Sequence, residues 1–209
     1  MEIFMDKDTM ELLTVATEYC AFIEKTSKFE RPAYISKLHK ILSLVYLKMS
    51  LLEKEGVGDE PDEPAEAFLS EYEYEYIKSI VSRKLGSIDA YINIYNSASN
   101  DSAYEQAELS DCVADIYHNL KNFVENCRTA SEESAFASFK ELVYDFREYW
   151  GYRVLSVLAS LHAIVYSPIL QQDDEDEDYG SNSSEPSNYQ SNSLINNFME
   201  SYRNKEEQY

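Results

Sequence analysis

A recurrence of apolar side chains three or four positions apart, kept up over about thirty residues, limits the fold of this chain more than any other feature. It runs from Glu132 to His162, and this spacing places the apolar residues along one face of an α-helix. The row consists of Phe136, Phe139, Val143, Phe146, Trp150, Val154, Val157 and Leu161. Ser131 and the two glutamates after it predict the start of the helix. The remaining chain is expected to pack onto this helix.

The single tryptophan, Trp150, lies on this apolar face. Because buried aromatic side chains usually contribute to packing, we predict that Trp150 belongs to the core. Gly151 stands inside the helical pattern, where glycine costs about 1 kcal/mol relative to alanine. We therefore expect another helix to approach closely at Gly151. Arg153, near the edge of the same face, is expected to pair with a carboxylate of another helix.

Four further helices follow from the same spacing rule and from the positions of glycine and proline. The third contains a strictly alternating Glu–Tyr run that is typical of a strand, but the helical spacing continues beyond it. The predicted ranges are 8–26, 31–53, 70–85 and 103–128. Residues 88–95 are compatible with a short extended piece or with a helical turn. With only five glycines and five prolines in 209 residues, the chain is predicted to be an all-α, up-and-down bundle of about five helices over residues 8–166.

The composition changes after Ser167, where six consecutive acidic residues precede a stretch rich in serine and asparagine. Such a segment cannot bury enough apolar surface to offset its ordering entropy, so residues 167–209 are predicted to be a disordered acidic tail. Near its end, residues 193–203 carry apolar side chains at helical spacing. This short amphipathic segment is expected either to dock on its own domain or to fold in the groove of a partner.

The formal net charge of −21 repels phosphate, so direct binding of nucleic acid is not expected, and a basic partner is favoured. No basic start followed by an apolar run predicts a signal peptide, and no apolar run is long enough to cross a bilayer. Three cysteines without a CxxC pair indicate reduced thiols. We therefore expect a cytoplasmic protein that does not associate with membranes.

Four separated segments resemble motifs of the DUF5063 family, small proteins known mainly from Bacteroides and its relatives. They are Thr14–Glu24, Leu44–Leu52, Ser110–His118 with its continuation to Phe123, and Tyr149–Gly151 followed by Leu158–His162. They occur in the family's order and span about Asp8 to Tyr166. The resemblance implies an all-helical domain in a bacterial cytoplasm. It implies no activity, because the family is uncharacterised.

Polar residues within these segments and the adjoining helices are the candidates for a binding site. They are Glu18, Tyr46, Lys48, Trp150, Asp115, Tyr117, Arg153 and His162. Lys48 stands between two apolar rows, so it either extends to solvent or forms a salt bridge with Glu18 or Asp115. Such a cluster either fixes the register of the helices or lines a small polar pocket.

Asp115 and His118 have the spacing that di-metal helical bundles use, but such sites need a second pair, which this chain lacks. We therefore expect neither a metal nor a cofactor. Glycine-rich phosphate loops, nucleophile elbows and zinc spacings do not occur either.

Two hypotheses about function remain. The first is a non-catalytic acidic protein that binds a protein partner, which the charge suggests is basic. The alternative is a small enzyme or ligand-binding bundle that uses a polar cluster of Glu18, Lys48, Asp115 and Arg153.

Overall fold

The computed structural model describes residues 6–52, 65–93 and 105–166. Its elements are α1 (Lys7–Ile23), α2 (Arg31–Ser50), α3 (Glu71–Leu85), β1 (Ala90–Asn93), β2 (Glu105–Glu108), α4 (Leu109–Thr129), α5 (Glu132–Asp145) and α6 (Gly151–Tyr166). A π-helical turn, Phe146–Trp150, joins α5 and α6 into one continuous helical segment. The predicted tail, 167–209, and its amphipathic segment, 193–203, lie outside the described residues.

Within the described residues, five helical segments form the bundle, and the prediction of an all-helical fold is confirmed. A short connection joins α1 and α2, which are antiparallel neighbours. The ring of Phe22, near the end of α1, stacks on the ring of Tyr34, near the start of α2, with 5.0 Å between the ring centres. None of the described helices is both long and apolar enough to span a bilayer.

The helix α4 lies at the centre of the bundle and contacts α1, α3, α5 and α6. Its apolar side chains Val113, Ile116, Leu120 and Phe123 are fully buried. The hydroxyl of Tyr19 on α1 donates a hydrogen bond to the backbone oxygen of Val113 at 3.1 Å. Helices on several sides of α4 can therefore place their polar side chains against it.

The predicted start of the fourth helix, residue 103, is wrong, because α4 begins at Leu109 after the β1–β2 ribbon. The ribbon holds Asp89 next to the first turn of α4. There the Asp89 carboxylate accepts hydrogen bonds from the backbone nitrogen of Ser110 at 2.7 Å and from its hydroxyl at 2.8 Å, while the Asp89 carbonyl accepts one from the nitrogen of Leu109. A distant residue therefore caps the helix, and local spacing could not locate the end.

The long predicted helix is present, with Trp150 fully buried, as expected. Its indole nitrogen donates to the backbone oxygen of Leu142 at 3.3 Å, and its ring packs on Phe146 at 4.8 Å. The first member of the predicted apolar row, Phe136, is 39% exposed, so among the members of this row burial begins at Phe139.

The expectation that another helix approaches Gly151 is wrong, since the close neighbour is the preceding turn of the same segment. The backbone nitrogen of Gly151 donates to the oxygen of Phe146, five residues earlier, which is the hydrogen bond of a π-turn. A Cβ atom at position 151 would lie 2.4 Å from this oxygen and 3.2 Å from the Phe146 ring. Glycine therefore permits the π-turn that positions Trp150.

Replacing Gly151 by alanine is expected to lower the free energy of unfolding by about 1–3 kcal/mol, because the backbone oxygen cannot yield easily. Helix propensity alone predicts a gain of about 1 kcal/mol, so the sign of the change is diagnostic. Chemical denaturation measures it. The exposed control Ala159→Gly should lose about 1 kcal/mol, as at an ordinary helical position. A Gly151→Ala variant more stable than the parent would contradict the proposed role of the turn.

Candidate functional site: a carboxylate cluster between three helical segments

Three helical segments, one of them α4, each contribute two polar side chains four residues apart. The six side chains meet at the first half of α4. We call this set the carboxylate cluster. Its members are Tyr74 and Lys78 on α3, Asp111 and Asp115 on α4, Tyr149 in the π-turn and Arg153 on α6. A four-residue interval places both members of each pair on the same side of a helix.

Asp115 is the most buried charged side chain of the cluster, with 15% of its side chain exposed. Its Oδ2 atom lies 2.8 Å from Nε of Arg153 and accepts a hydrogen bond from the Tyr149 hydroxyl at 2.9 Å. Its Oδ1 atom accepts from the hydroxyl of Tyr74, also at 2.9 Å. One carboxylate thus binds α4 to both α3 and the segment around α6.

Asp111, one turn earlier, also connects α4 to α3 and to α6, and it pairs with two cations. Its Oδ1 atom lies 2.9 Å from Nζ of Lys78, and its Oδ2 atom lies 3.0 Å from Nη1 of Arg153. Burial by itself raises the pKa of the Asp111 carboxyl, but the hydrogen bond and charge of Lys78, aided by Arg153, outweigh it and hold the pKa below its ordinary value.

The guanidinium of Arg153 connects the two carboxylates and lies 4.7 Å from the ring centre of Tyr149. Its Nη1 also lies 3.6 Å from Sγ of Cys112. Burial lowers the pKa of Arg153, but the charge of Asp115 and the interactions with Cys112 and Tyr149 together outweigh burial, so the net shift is upward. The pKa of the Tyr149 hydroxyl is raised to about 12 by burial and by the neighbouring Asp115. Asp111, Tyr149 and Arg153 therefore keep their usual charges near neutral pH.

The chemistry open to the cluster follows from this mutual pairing. Both carboxylates accept hydrogen bonds from cations and hydroxyls. The pKa of Asp111 is lowered, which is the reverse of the raised pKa that a carboxylic general acid needs. The thiols outside the cluster are weak nucleophiles, because burial raises the pKa of Cys20 to about 12 and that of Cys127 to about 11. None of the three cysteines forms a disulfide.

Asp115 and His118, the pair with metal-like spacing, have different surroundings. The Nε2 atom of His118 lies 3.3 Å from the amide nitrogen of Asn122, and burial lowers the pKa of its ring. Among the described residues, no group of three or more histidine, cysteine, aspartate or glutamate side chains could hold a metal ion.

Of the four residues expected to form a polar cluster, the structure brings only Asp115 and Arg153 together. Lys48 forms its ion pair with Glu11 rather than with Glu18 or Asp115, and Glu18 is exposed with no ion pair among the described residues. The antiparallel course of α1 and α2 explains why Lys48 pairs with Glu11 and not with Glu18. It places the last turns of α2 beside the first turns of α1, where Glu11 lies.

The other candidate residues are distributed over separate parts of the bundle. Tyr46 packs on the ring of Phe146 at 5.5 Å, which is also next to the buried Trp150. The hydroxyl of Tyr117 donates to Glu24 at 3.0 Å.

The exposed His162 lies beside His39 of α2 at 6.0 Å and beside Tyr166 at 4.7 Å. The pKa of the His39 ring is lowered by burial and by the nearby His162. These residues do not converge on the carboxylate cluster, so the eight candidates are not one site.

Sequence reasoning overlooked four members of the cluster as site residues, namely Tyr74, Lys78, Asp111 and Tyr149. A signal for them was present. Each stands four residues before or after another polar or aromatic residue, and the two aspartates, Asp111 and Asp115, lie on the same side of α4. The periodicity does not predict which helices face each other, so the sequence could not show that the three pairs form one cluster.

Together these features describe an all-helical domain whose central helix is tied to two neighbours by paired carboxylates. The chain belongs to the DUF5063 family, a domain of unknown function, whose sequence model matches residues 4–167 and confirms the resemblance found in the motifs. It is similar to the crystal structure of protein BF1032 from Bacteroides fragilis, with 30% sequence identity and a TM-score of 0.69 over 79% of this chain and 97% of that chain. No curated protein matches the sequence.

Replacing Asp115 by alanine is expected to lower the free energy of unfolding by about 2–3 kcal/mol, because Arg153 then loses its shortest ion pair in a half-buried position. Urea denaturation measures the loss. The matched control is Glu18→Ala, another helical carboxylate, which should change stability by less than about 0.5 kcal/mol. Equal effects of the two substitutions would show that the cluster does not hold the helices.

The pH dependence of stability tests Asp111. Its folded pKa lies below its unfolded value, so its contribution is complete above about pH 4 and is lost as the pH falls through the folded pKa. The difference in unfolding free energy between the parent and Asp111→Asn should therefore be constant from about pH 7 to 5 and shrink below about pH 4. Glu18→Gln should show no such change. A difference that widens on acidification would contradict the assignment.

Proposed function

We propose that this chain is a non-catalytic cytoplasmic protein that binds a basic segment of a protein partner through the outward side of α3. Four side chains form this surface, which we call the tyrosine–glutamate face: Glu71, Tyr72, Glu75 and Tyr76. The observation that carries the proposal is the exposure of two large aromatic rings among carboxylates, 80% for Tyr72 and 56% for Tyr76.

The opposite side of α3 is held firmly, which makes the exposed face a rigid surface. Ile77, Val81 and Leu85 are buried in the core, and Lys78 is engaged in the carboxylate cluster. The hydroxyl and carboxylate of Ser70 and Glu73 form a capping box that fixes the first turn. A binding partner would therefore meet side chains whose backbone is already ordered, which reduces the entropy lost on association.

The chemistry of this face suits cationic side chains. A guanidinium can lie over a tyrosine ring while a neighbouring carboxylate neutralises its charge. The net charge of −21 attracts a basic partner from a distance and repels nucleic acid. The mutual pairing within the carboxylate cluster supports a structural role for that cluster rather than the alternative of an enzyme site.

Binding of a synthetic arginine-rich peptide to the full-length chain tests the proposal, by fluorescence anisotropy at about 0.15 M salt. The double variant Tyr72→Ala/Tyr76→Ala is expected to weaken binding at least about tenfold, since it removes both rings. Leu47→Ala, which removes an exposed apolar side chain on α2, is the control and should leave the affinity unchanged.

A peptide with citrulline in place of arginine distinguishes charge from shape, because citrulline keeps the planar group without the cation. It should bind at least about tenfold more weakly than the arginine peptide. Undiminished binding by the tyrosine double variant would show that the peptide associates with the acidic surface elsewhere, and the proposed face would be withdrawn.

A further inference from the structure

We infer that the outward side of α2 is a second docking surface, and that its partner is an acidic amphipathic helix of another protein. Five exposed residues form this surface, which we call the leucine–lysine face: Lys37, Lys40, Leu44, Leu47 and Leu51. It is on a different helix from the tyrosine–glutamate face and has the opposite charge, so the inference goes beyond the proposed function.

The leucines of this face are exposed to an unusual degree for one helix. They are 48%, 50% and 52% exposed in chain order. Single exposed leucines are common on protein surfaces, but three at intervals of three and four residues form a continuous apolar stripe. This spacing matches the anchor pattern by which one helix lies along another.

The other side of α2 prevents the helix from turning its leucines inward. Leu38, Leu42 and Val45 are fully buried, and Met49 is nearly so. The helix contacts both α1 and α6 along this buried side. Because two sides of one helix cannot both enter the same core, the core formed by the described helices leaves the leucine stripe uncovered.

Charge identifies the chemistry of the partner. Between Arg31 and Ser50, α2 contains four lysine or arginine residues and no acidic residue, although the chain as a whole carries −21. Lys48 is engaged with Glu11, and Arg31 donates to the backbone oxygen of Leu85 at 2.7 Å.

The two remaining cations stand on the leucine–lysine face. Lys37 lies about 5 Å from the rings of Phe22 and Phe29, and within the described residues neither Lys37 nor Lys40 forms an ion pair with a carboxylate. A partner that places acidic side chains over these lysines gains charge pairing, while its apolar side chains cover the leucines. The face spans fourteen helical steps, or about 21 Å, which suits a partner helix of about four turns.

Two other occupants fit this face less well. A second copy of the chain would bring the lysine-bearing faces of two molecules together, and the lysines would repel each other. An anionic membrane would attract the lysines, but α2 cannot sink into the interface because its other side is in the core.

The test uses a displayed library of helical peptides with leucine at positions i, i+3 and i+7, and with glutamate, lysine, glutamine or serine at the polar positions. The library is selected against the full-length chain. Peptides enriched in glutamate are expected, and replacing their glutamates by glutamine should weaken binding at least about tenfold, because the charge pairing with the lysines is lost. Selection of lysine-rich peptides, or of none above the unselected background, would overturn the inference.

Variants locate the binding. Leu44→Ala/Leu47→Ala and Lys37→Glu/Lys40→Glu should each weaken the selected peptides at least about tenfold, with unfolding midpoints close to that of the parent because all four side chains are exposed. Tyr76→Ala is the control and should bind normally. Equal binding by both α2 variants would refute the inference.

Two further measurements would also overturn it in favour of another occupant. The first is sedimentation of the parent as a dimer that Leu47→Glu converts to a monomer. The second is co-sedimentation with phosphatidylserine vesicles that Lys37→Glu/Lys40→Glu abolishes. We expect the parent to sediment as a monomer and not to co-sediment with these vesicles.

Discussion

Two carboxylates on the central helix pair with donors from two other segments and fix the register of α3, α4 and α6. Every side-chain oxygen of Asp111 and Asp115 accepts a hydrogen bond from a group on α3, on the π-turn or on α6. Apolar contacts alone tolerate sliding of one helix along another, whereas directed bonds to half-buried charges do not. Removing one of the six side chains leaves its half-buried partners with fewer hydrogen bonds. We therefore expect the effects of substitutions within the cluster on stability not to be additive.

The same arrangement decides which surfaces of the domain are left for other molecules. The cluster engages Tyr74 and Lys78 of α3, and the exposed side chains in the first half of this helix are tyrosines and glutamates. The ion pair of Lys48 with Glu11 does the same for α2, whose outward side keeps leucines and two lysines. Two rigid faces of opposite charge thus follow from how the core was assembled, and both are consistent with a protein that binds others.

Helical spacing predicted most of the elements, because burial of one face imposes a period of 3.6 residues whatever the partner is. The spacing located the core position of Trp150 and the pairing of Arg153 with a carboxylate of another helix. It misplaced the start of α4, which depends on a cap from Asp89, about twenty residues earlier in the chain. It also misjudged Gly151, whose neighbour is set by a π-turn that no apolar pattern records.

The sequence by itself determined the helical class, the core position of Trp150 on the apolar face of its helix and the family to which the chain belongs. These depend on local propensity, on the 3.6-residue period and on motifs, all of which are properties of one segment at a time. The tertiary structure decided which helices face each other, and with that the pairing of Lys48 with Glu11 and the meeting of Tyr74, Lys78 and Tyr149 around two aspartates. Periodicity places a side chain on a face but leaves its partner open, because the contact depends on the direction and register of a second helix.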